Sequence, residues 1–154
     1  MKISTWNVNS INARINHLIK FINNDRSDIY LLQELKCMNE AFPYQQIENI
    51  GYNCYVNGQK AWNGVAILSK EKLNINNTKL PTFIKDEQSR FLETEIKIKK
   101  IKKNIKLFCI YLPNGNPIET PKFDYKLKWM KYFNDYIIQL YNDDNPIIIG
   151  GDFN

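Results

Sequence analysis

Cysteine, histidine and arginine are scarce in this sequence, and their scarcity limits the kinds of site it can build. The three cysteines, Cys37, Cys54 and Cys109, are widely spaced and form no C-x-x-C pair, which argues against a disulfide framework and against a zinc site. Free cysteine behaves as a small hydrophobic residue, so we expect buried, unpaired thiols. The one histidine, His17, falls on a predicted helix, where we expect a structural or surface role.

Long apolar runs are also absent. The opening MKISTWNVNS lacks the apolar core of a signal peptide, and runs such as residues 65–68 are far too short to cross a bilayer. We therefore expect a cytoplasmic protein without membrane association. No linker or internal repeat interrupts the 154 residues, a length that suits one domain with a sizeable core.

The residues that are present suit an ordered protein with an anionic partner. Hydrophobic residues make up 44% and aromatic residues 13% of the chain, as in globular domains. The net charge of +5 favours a partner such as nucleic acid. Charge alone does not decide this, because lysine greatly outnumbers arginine and asparagine and isoleucine are plentiful, a bias that AT-rich coding DNA also produces.

Hydrophobic periodicity predicts an alternation of strands and helices. Strands are predicted at 3–8, 28–33, 52–56, 64–69, 90–98, 105–112 and 147–149, and helices at 11–22, 44–50 and 123–140. Ser10 or Asn12 is expected to cap the first helix, and the fifth and sixth strands to form a hairpin. The opening strand-helix-strand order favours a parallel or mixed sheet covered by helices.

Polar residues gather at the ends of these strands, where α/β folds place functional side chains. Glu34 offers the hard oxygen ligand that Mg²⁺ prefers, and Asp152 can hold or deprotonate a water molecule. Each residue taken alone also fits a turn or a helix cap, so the interpretation depends on their joint pattern. The set consists of Asn7, Asn9, Glu34, Tyr111, Asp152 and Asn154.

Six motifs occur in a fixed order: WNVNSI, LLQELK, GVAILSK, IYLPNG, KFDYKLKW and IIIGGDFN. Together they resemble the exonuclease III and abasic-site endonuclease branch of the endonuclease/exonuclease/phosphatase superfamily, over essentially the whole chain. The resemblance implies an α/β (α+β) sandwich of two mixed sheets flanked by helices. It also implies Mg²⁺-dependent hydrolysis of DNA phosphodiesters at abasic sites and 3′ ends in base excision repair, with Mn²⁺ as the alternative ion and double-stranded DNA as partner.

The resemblance further implies a role for each polar residue. Glu34 is the principal metal ligand, and Asn7, Asp152 and Asn154 complete the implied metal site. Asp152 also orients and activates the attacking water, Tyr111 faces the scissile phosphate, and the Asn154 amide contacts the phosphate. Three more residues fall at substrate-binding positions of the family pattern: Asn9, Lys36 and Arg90.

The sequence departs from the family after the GDFN strand. Family members continue into a second half that completes the second sheet and carries a further Asp and a terminal Asp-His pair. We therefore expect residues 1–154 to form a single partial domain, truncated after that strand. Its activity should fall by at least about 10² to 10³, and an exposed apolar face should favour aggregation, self-association or a complementary polypeptide.

Two other interpretations stay open. One is a catalytically inactive remnant or half-subunit that binds DNA or a complementary polypeptide. The other is a phosphatase branch acting on inositol phosphates or sphingomyelin, against which the LPNG loop followed by KFDYKLKW argues. The lysine-rich segment 97–106 fits the charged tip of a solvated hairpin better than a DNA contact. Trp129 is expected in the helix core. Lys60, Trp62 and Asn63 fall where the family resemblance places a loop near DNA.

Overall fold

The computed structural model describes residues 1–98, 103–141 and 145–154. Its strands are β1 (Ile3–Asn7), β2 (Ile29–Gln33), β3 (Asn53–Asn57), β4 (Val65–Ser69), β5 (Asn74–Asn77), β6 (Phe91–Ile98), β7 (Lys103–Tyr111) and β8 (Ile147–Asp152). Its α-helices are α1 (Ile11–Asp25), α2 (Tyr44–Glu48) and α3 (Pro121–Tyr141). Short 3₁₀ turns lie at Asn39–Ala41 and Pro81–Phe83.

The strands form two mixed sheets. The first sheet has the order β1-β2-β4-β3 and the second sheet the order β5-β6-β7-β8. Each contains one parallel pair, β1 with β2 and β7 with β8, while its other pairs are antiparallel. This arrangement confirms the expected α/β (α+β) sandwich of mixed sheets, as well as the hairpin of β6 and β7.

Alternating side chains of β2 show how the layers pack. Tyr30 and Leu32 join the core beneath α1 and α2, whereas Ile29 and Leu31 face the second sheet, as the period of two in a strand requires. Trp129 on α3 is fully buried against the outer face of the second sheet. The burial of such a large side chain contributes about 1.5–3 kcal/mol. Apolar contacts of this kind hold the helices and the two sheets together, and the packed layers in turn set where the strands end.

The prediction of elements is confirmed in order and type, with small boundary shifts and two errors. The missed strand β5 has the sequence NINN and lies at a mostly exposed edge beside β6, so it carries almost no apolar pattern. The expected side-chain cap of α1 is wrong. Ser10 has a φ of 80°. The first helical amide, that of Ile11, instead donates to the backbone carbonyl of Leu35. The Asn12 side chain donates to the Ala41 carbonyl at 3.2 Å.

Several single-residue expectations are also resolved. All three cysteines are free thiols; Cys37 and Cys109 are buried, while Cys54 is only half-buried. Trp129 lies in the core as predicted, and His17 is exposed on α1. The tip of the lysine-rich segment 97–106 lies outside the described residues. Within the described ranges, no helix has the length and apolar character needed to cross a membrane.

Asp25, the last residue of α1, gathers a polar cluster at the start of the first sheet. Its carboxylate accepts hydrogen bonds from Lys2 Nζ at 2.6 Å, Ser4 Oγ at 3.0 Å, Ser27 Oγ at 2.5 Å and the Tyr30 hydroxyl at 3.1 Å. The bond from Lys2 is the largest of the causes that hold the pKa of Asp25 well below its usual value of 3.8. Folding therefore favours the ionised form of this carboxyl group.

We expect Asp25→Asn to lower the midpoint of thermal unfolding at pH 7. A carboxyl group whose pKa is depressed by folding stabilises the protein above its unfolded pKa and loses that contribution as the pH falls. The difference between the variant and the wild type should therefore shrink below about pH 3.8. The control is Asp135→Asn, which removes an exposed partner of Lys131 on α3. Equal midpoints for Asp25→Asn and wild type at pH 7 would contradict the expectation.

Candidate active site

Two parallel strand pairs, one in each sheet, end at the same edge of the sandwich. In the first sheet, Asn7 lies opposite Gln33, directly before Glu34. In the second sheet, Tyr111 lies opposite Asp152, and β8 packs against β1. The carboxyl ends of parallel strands share one edge, and this is where such folds place functional groups.

The Asn7 side chain joins the two sheets. Its Nδ2 donates to Glu34 Oε1 and to Asp152 Oδ2, each at 2.7 Å. These two carboxylate oxygens therefore lie within two hydrogen-bond lengths of each other. Asn7 Oδ1 accepts the backbone N–H of Asn9 at 3.1 Å, which fixes the orientation of the amide. The Tyr111 hydroxyl donates to the same Glu34 oxygen at 2.8 Å.

Lys36 is the third side chain, after Asn7 and Tyr111, that contacts the Glu34 carboxylate. Its ammonium group lies 3.0 Å from Glu34 Oε2 and donates to Asn9 Oδ1 at 2.6 Å. Both side chains of the ion pair are largely shielded, with exposed fractions of 26% and 20%. The pair is therefore screened less than an ion pair on the open surface. One cation thus offsets part of the charge of the two carboxylates at this edge.

The loop after β2 presents Glu34 and Lys36 through an unusual backbone. Glu34 has a φ of 55° and Lys36 a φ of 53°, left-handed conformations that cost on the order of 1–3 kcal/mol each when held by their surroundings. Backbone hydrogen bonds hold them, since Ser10 N donates to the Glu34 carbonyl and Lys36 N to the Asn63 carbonyl. Leu35 between them is fully buried and anchors the loop in the core.

Two glycines allow β8 to reach the edge of the sandwich. A Cβ at Gly151, where φ is 148°, would collide with the carbonyl oxygen of Ile110, and a Cβ at Gly150 would meet the Leu31 side chain. Side chains at these positions would push β8 away from both neighbouring strands. The strand consequently extends through Asp152 and does not end at 149 as predicted.

The protonation states of Glu34 and Tyr111 follow from their surroundings. Burial opposes ionisation of Glu34, but hydrogen bonds from Asn7, Lys36 and Tyr111 outweigh it and leave the pKa of Glu34 below its usual value. Burial, reinforced by the adjacent Glu34 carboxylate, raises the pKa of Tyr111 above its usual value. At neutral pH, Glu34 is therefore an anion and Tyr111 a hydroxyl donor.

A cleft of about 650 Å³ opens beside Glu34 and Tyr111. Its cationic side chains are Lys36, Arg90 and Lys122, and Trp62 lies on its lining with 70% of its surface exposed. A concave, cationic surface next to two carboxylates suits a large anionic ligand.

Arg90 and Asn154 lie beside the carboxylate cluster. The Arg90 guanidinium stacks 4.7 Å from the centre of the Tyr111 ring and donates to the Tyr111 carbonyl at 3.2 Å. Asn154 donates its backbone N–H to Asp152 Oδ1 at 2.9 Å and its side-chain amide to the Leu112 carbonyl at 2.8 Å. Every predicted site residue thus lies at this edge, while the roles of these residues toward metal, water and phosphate stay predictions.

Several lining residues had no role predicted from the sequence, among them Gln88, Asn114 and Tyr125. Tyr125 lies in KFDYKLKW and Asn114 in IYLPNG, so the motifs themselves were the signal that could have identified them. Gln88 belongs to no such motif. Only the folded structure shows that the loop before β6 brings Gln88 to the cleft.

The donor set at this edge fits a magnesium ion. Among the described residues, no three His, Cys, Asp or Glu side chains group together as metal ligands. The available ligand oxygens are those of the Glu34 and Asp152 carboxylates, which the Asn7 NH₂ group bridges as a hydrogen-bond donor. Mg²⁺ is commonly held by one or two carboxylates, completing its octahedron with water and substrate phosphate.

Comparison with known proteins assigns the chain to a family. The profile of the Endonuclease/Exonuclease/phosphatase family matches residues 4–154. Exodeoxyribonuclease III of Haemophilus influenzae is 34% identical over 159 residues, which cover 100% of this chain and 57% of the relative. The chain thus spans little more than half the length of this relative.

Solved structures agree with that comparison. A 3′-5′ exonuclease, NExo, from Neisseria meningitidis superposes with a TM-score of 0.88 at 32% identity, covering 100% of this chain and 58% of the other. An AP endonuclease from Archaeoglobus fulgidus superposes with a TM-score of 0.85 at 29% identity, covering 99% and 57%. The chain belongs to the endonuclease/exonuclease/phosphatase family, and its relatives within it are exodeoxyribonuclease III and the AP endonucleases.

Proposed function

We propose that this site hydrolyses phosphodiester bonds of double-stranded DNA at abasic sites and at 3′ ends, in base excision repair. The observation that carries the proposal is the Asn7 amide, which bridges the carboxylates of Glu34 and Asp152 beside the Tyr111 hydroxyl. The activities named for the relatives, exodeoxyribonuclease III and AP endonuclease, support this choice of substrate.

The cleft supplies positive charge for the DNA backbone. Lys36, Arg90 and Lys122 line it, and each phosphate contact made by such a side chain adds salt-dependent affinity. The Lys36 ammonium is held by Glu34 and Asn9, so it is positioned before DNA arrives. A fixed cation needs little reorganisation to stabilise charge that develops in the transition state.

We propose that Tyr111 turns its hydroxyl hydrogen from Glu34 Oε1 to the scissile phosphate when DNA binds. Its raised pKa keeps the hydroxyl protonated at neutral pH, and the stacked Arg90 guanidinium restrains its ring. A donor fixed in this way can stabilise negative charge on a nonbridging oxygen as the bond breaks. The loss of one such donor typically reduces the rate by about 10² to 10³.

Asp152 orients the attacking water and accepts its proton. Its two oxygens are held by the Asn7 amide and the Asn154 backbone N–H, which fix the plane of the carboxylate. Glu34 and Asp152, both oriented by the Asn7 NH₂ group, would hold Mg²⁺ or Mn²⁺, and the ion would supply charge neutralisation at the phosphate. Proton transfer from water to Asp152 is general base catalysis, worth about 10² to 10⁴ in rate.

The test is cleavage of a duplex that carries a single abasic-site analogue, with and without Mg²⁺. We expect a nick beside the analogue that requires the ion and is suppressed by EDTA. The same duplex without the analogue is the matched substrate control, and a labelled recessed 3′ end reports exonuclease activity. No nick from folded protein, at enzyme concentrations in excess of DNA, would overturn the proposed hydrolase.

A second candidate is a half-subunit that is completed by another polypeptide. Strand β8 forms an open edge of the second sheet, with every residue half-buried. Beside it lies an apolar groove of about 260 Å³ whose lining includes Met130, Ile137, Ile149 and Phe153. We propose that a complementary polypeptide, equivalent to the part of the relatives that this chain does not match, covers this face.

This second candidate is tested by adding the unmatched segment of Haemophilus exodeoxyribonuclease III to the chain. We expect a one-to-one complex by sedimentation, together with increased cleavage of the abasic duplex. Met130→Lys should weaken the complex, whereas Lys131→Met, on the neighbouring position of α3, should not. A stable homodimer that excludes the added segment would instead assign the face to a second copy.

A further inference from the structure

Arg90 is held between two tyrosine rings in the wall of the cleft. Its guanidinium lies 4.7 Å from the centre of the Tyr111 ring and 5.9 Å from that of the Tyr125 ring. Its Nε donates to Gln88 Oε1 at 2.7 Å. Tyr111 belongs to β7 and Tyr125 to α3, so this stack ties the helix to the strand that presents the site hydroxyl.

Tyr125 is fixed in turn by a buried carboxylate. Asp86 has only 8% of its surface exposed, and its two oxygens accept the Tyr125 hydroxyl at 2.9 and 2.8 Å. Asp86 Oδ1 also accepts the backbone N–H of Gln88 at 3.1 Å. Asp86 therefore acts on Arg90 by two routes, through the Tyr125 ring and through Gln88.

The positions of Asp86, Tyr125 and Arg90 are coupled by hydrogen bonds and by ring stacking. A buried carboxylate is costly unless it is hydrogen-bonded or lies near positive charge, and Asp86 accepts hydrogen bonds from the Tyr125 hydroxyl and the Gln88 backbone N–H. Burial and the Asp86 carboxylate raise the pKa of Tyr125, so its hydroxyl remains a donor. The Tyr125 ring then offers its face to the guanidinium, a contact favoured by the ring quadrupole.

We propose that Tyr125 and Asp86 are positioning residues that hold the Arg90 guanidinium against the Tyr111 ring. They do not touch the phosphate; they set the direction of the Tyr111 hydroxyl through Arg90. Neither residue was assigned a role from the motifs, and both come from segments remote from the carboxylate cluster in sequence. The kinetic consequence rests on the function proposed above, whereas the positioning itself does not.

The first experiment observes Arg90 directly and needs no activity. The chain has only three arginines, Arg14, Arg26 and Arg90, so its arginine Nε–H NMR signals are few and Arg90→Lys assigns one of them. Because Arg90 is stacked on two rings and bonded to Gln88, we expect its signal to be shifted by ring currents and slow to exchange with solvent.

Tyr125→Phe keeps the ring but removes the bond to Asp86. We expect it to move the Arg90 signal toward the position of a free side chain and to speed its exchange, and Asp86→Asn to do the same. The matched control is Tyr132→Phe, because Tyr132 lies on the same helix and its ring, like that of Tyr125, contacts Phe83. An Arg90 signal that is unchanged in Tyr125→Phe would overturn the proposal.

The second experiment measures cleavage of the abasic duplex as a double-mutant cycle. We expect Tyr125→Phe to reduce kcat by about 10-fold, the scale of a small misplacement in a preorganised site, when the assay is run at a temperature where thermal unfolding shows the variant to be folded. The loss should vanish in an Arg90→Lys background, because groups that act through one partner are not additive.

The two experiments separate failure of this proposal from failure of the proposed function. If losses from Tyr125→Phe and Arg90→Lys simply add, Tyr125 has a general structural role and the proposal is wrong. If wild-type protein cleaves nothing, the hydrolase proposal fails on its own test, and the Arg90 signal still decides the positioning role.

Discussion

Asp152→Asn is expected to reduce Mg²⁺-dependent cleavage of an abasic duplex by about 10² to 10⁴, the usual contribution of a general base. Asparagine matches aspartate in size but carries no charge and presents an NH₂ group. That NH₂ would face one of two donors, the Asn7 amide or the Asn154 backbone N–H. The substitution therefore removes the proton acceptor and also disturbs the hydrogen bonds that orient the side chain.

The measurement is single-turnover cleavage with enzyme in excess, which reports the chemical step rather than product release. Asp135→Asn makes the same chemical change at a position on α3 where 38% of the side chain is exposed and should cleave like wild type. Thermal unfolding of both variants identifies any loss that is due to misfolding. An Asp152→Asn enzyme that retains wild-type rates would show that another group activates the water.

Glu34→Gln is expected to reduce Mg²⁺ affinity by about 100-fold or more, since even residues behind metal ligands commonly contribute 10- to 100-fold. The carboxylate accepts from Asn7 and Tyr111 on one oxygen and pairs with Lys36 on the other. A neutral amide would leave the Lys36 ammonium without its counter-ion. That uncompensated positive charge would then repel a divalent cation in the same site.

Metal binding can be measured without DNA. A ligand that binds only the folded state stabilises it by RT ln(1 + [L]/Kd), so the unfolding midpoints of wild type and Glu34→Gln measured over a series of Mg²⁺ concentrations give the two affinities. Mn²⁺ binding followed by electron paramagnetic resonance provides an independent measurement. Glu48→Gln, an exposed change on α2, is the control. Equal affinities in Glu34→Gln and wild type would remove Glu34 from the metal site.

The two variants test different properties of one cluster. Glu34→Gln should abolish ion-dependent stabilisation, and cleavage should then fall because the ion is not bound. Asp152→Asn is expected to lose far more in rate than in ion affinity, provided that Glu34 is the principal ligand. If instead both variants lost affinity equally, the ion would be shared evenly between the carboxylates that Asn7 bridges.

Most secondary structure was predictable because its signals are local. The buried strand β2 and the apolar stripe of α1 are visible in short windows of sequence. Strand β5 was not predictable, because NINN has no alternating apolar pattern and forms only by pairing with β6. The cap of α1 was mispredicted because the backbone carbonyl of Leu35, more than twenty residues away, satisfies the first helical amide.

The members of the site were predictable from motifs, but their contacts were not. Asn7 and Asp152 are 145 residues apart in sequence and share a hydrogen bond of 2.7 Å. No pattern in either motif indicates that one amide nitrogen bridges both carboxylates. The roles of Asp86 and Tyr125 were likewise invisible, because an aspartate before β6 and a tyrosine on α3 meet only after the second sheet and the helix have packed.

Local patterns in the sequence were sufficient to predict the alternation of strands and helices, the mixed character of the sheets and the residue types at the strand ends. These depend on periodicity and on motifs, which are properties of neighbouring residues. Three features could be read only from the folded chain: which polar groups touch, how Glu34 and Tyr111 are protonated, and what holds Arg90. Those properties depend on distance, burial and nearby charge, and packing sets them by bringing the ends of two parallel strand pairs to one edge.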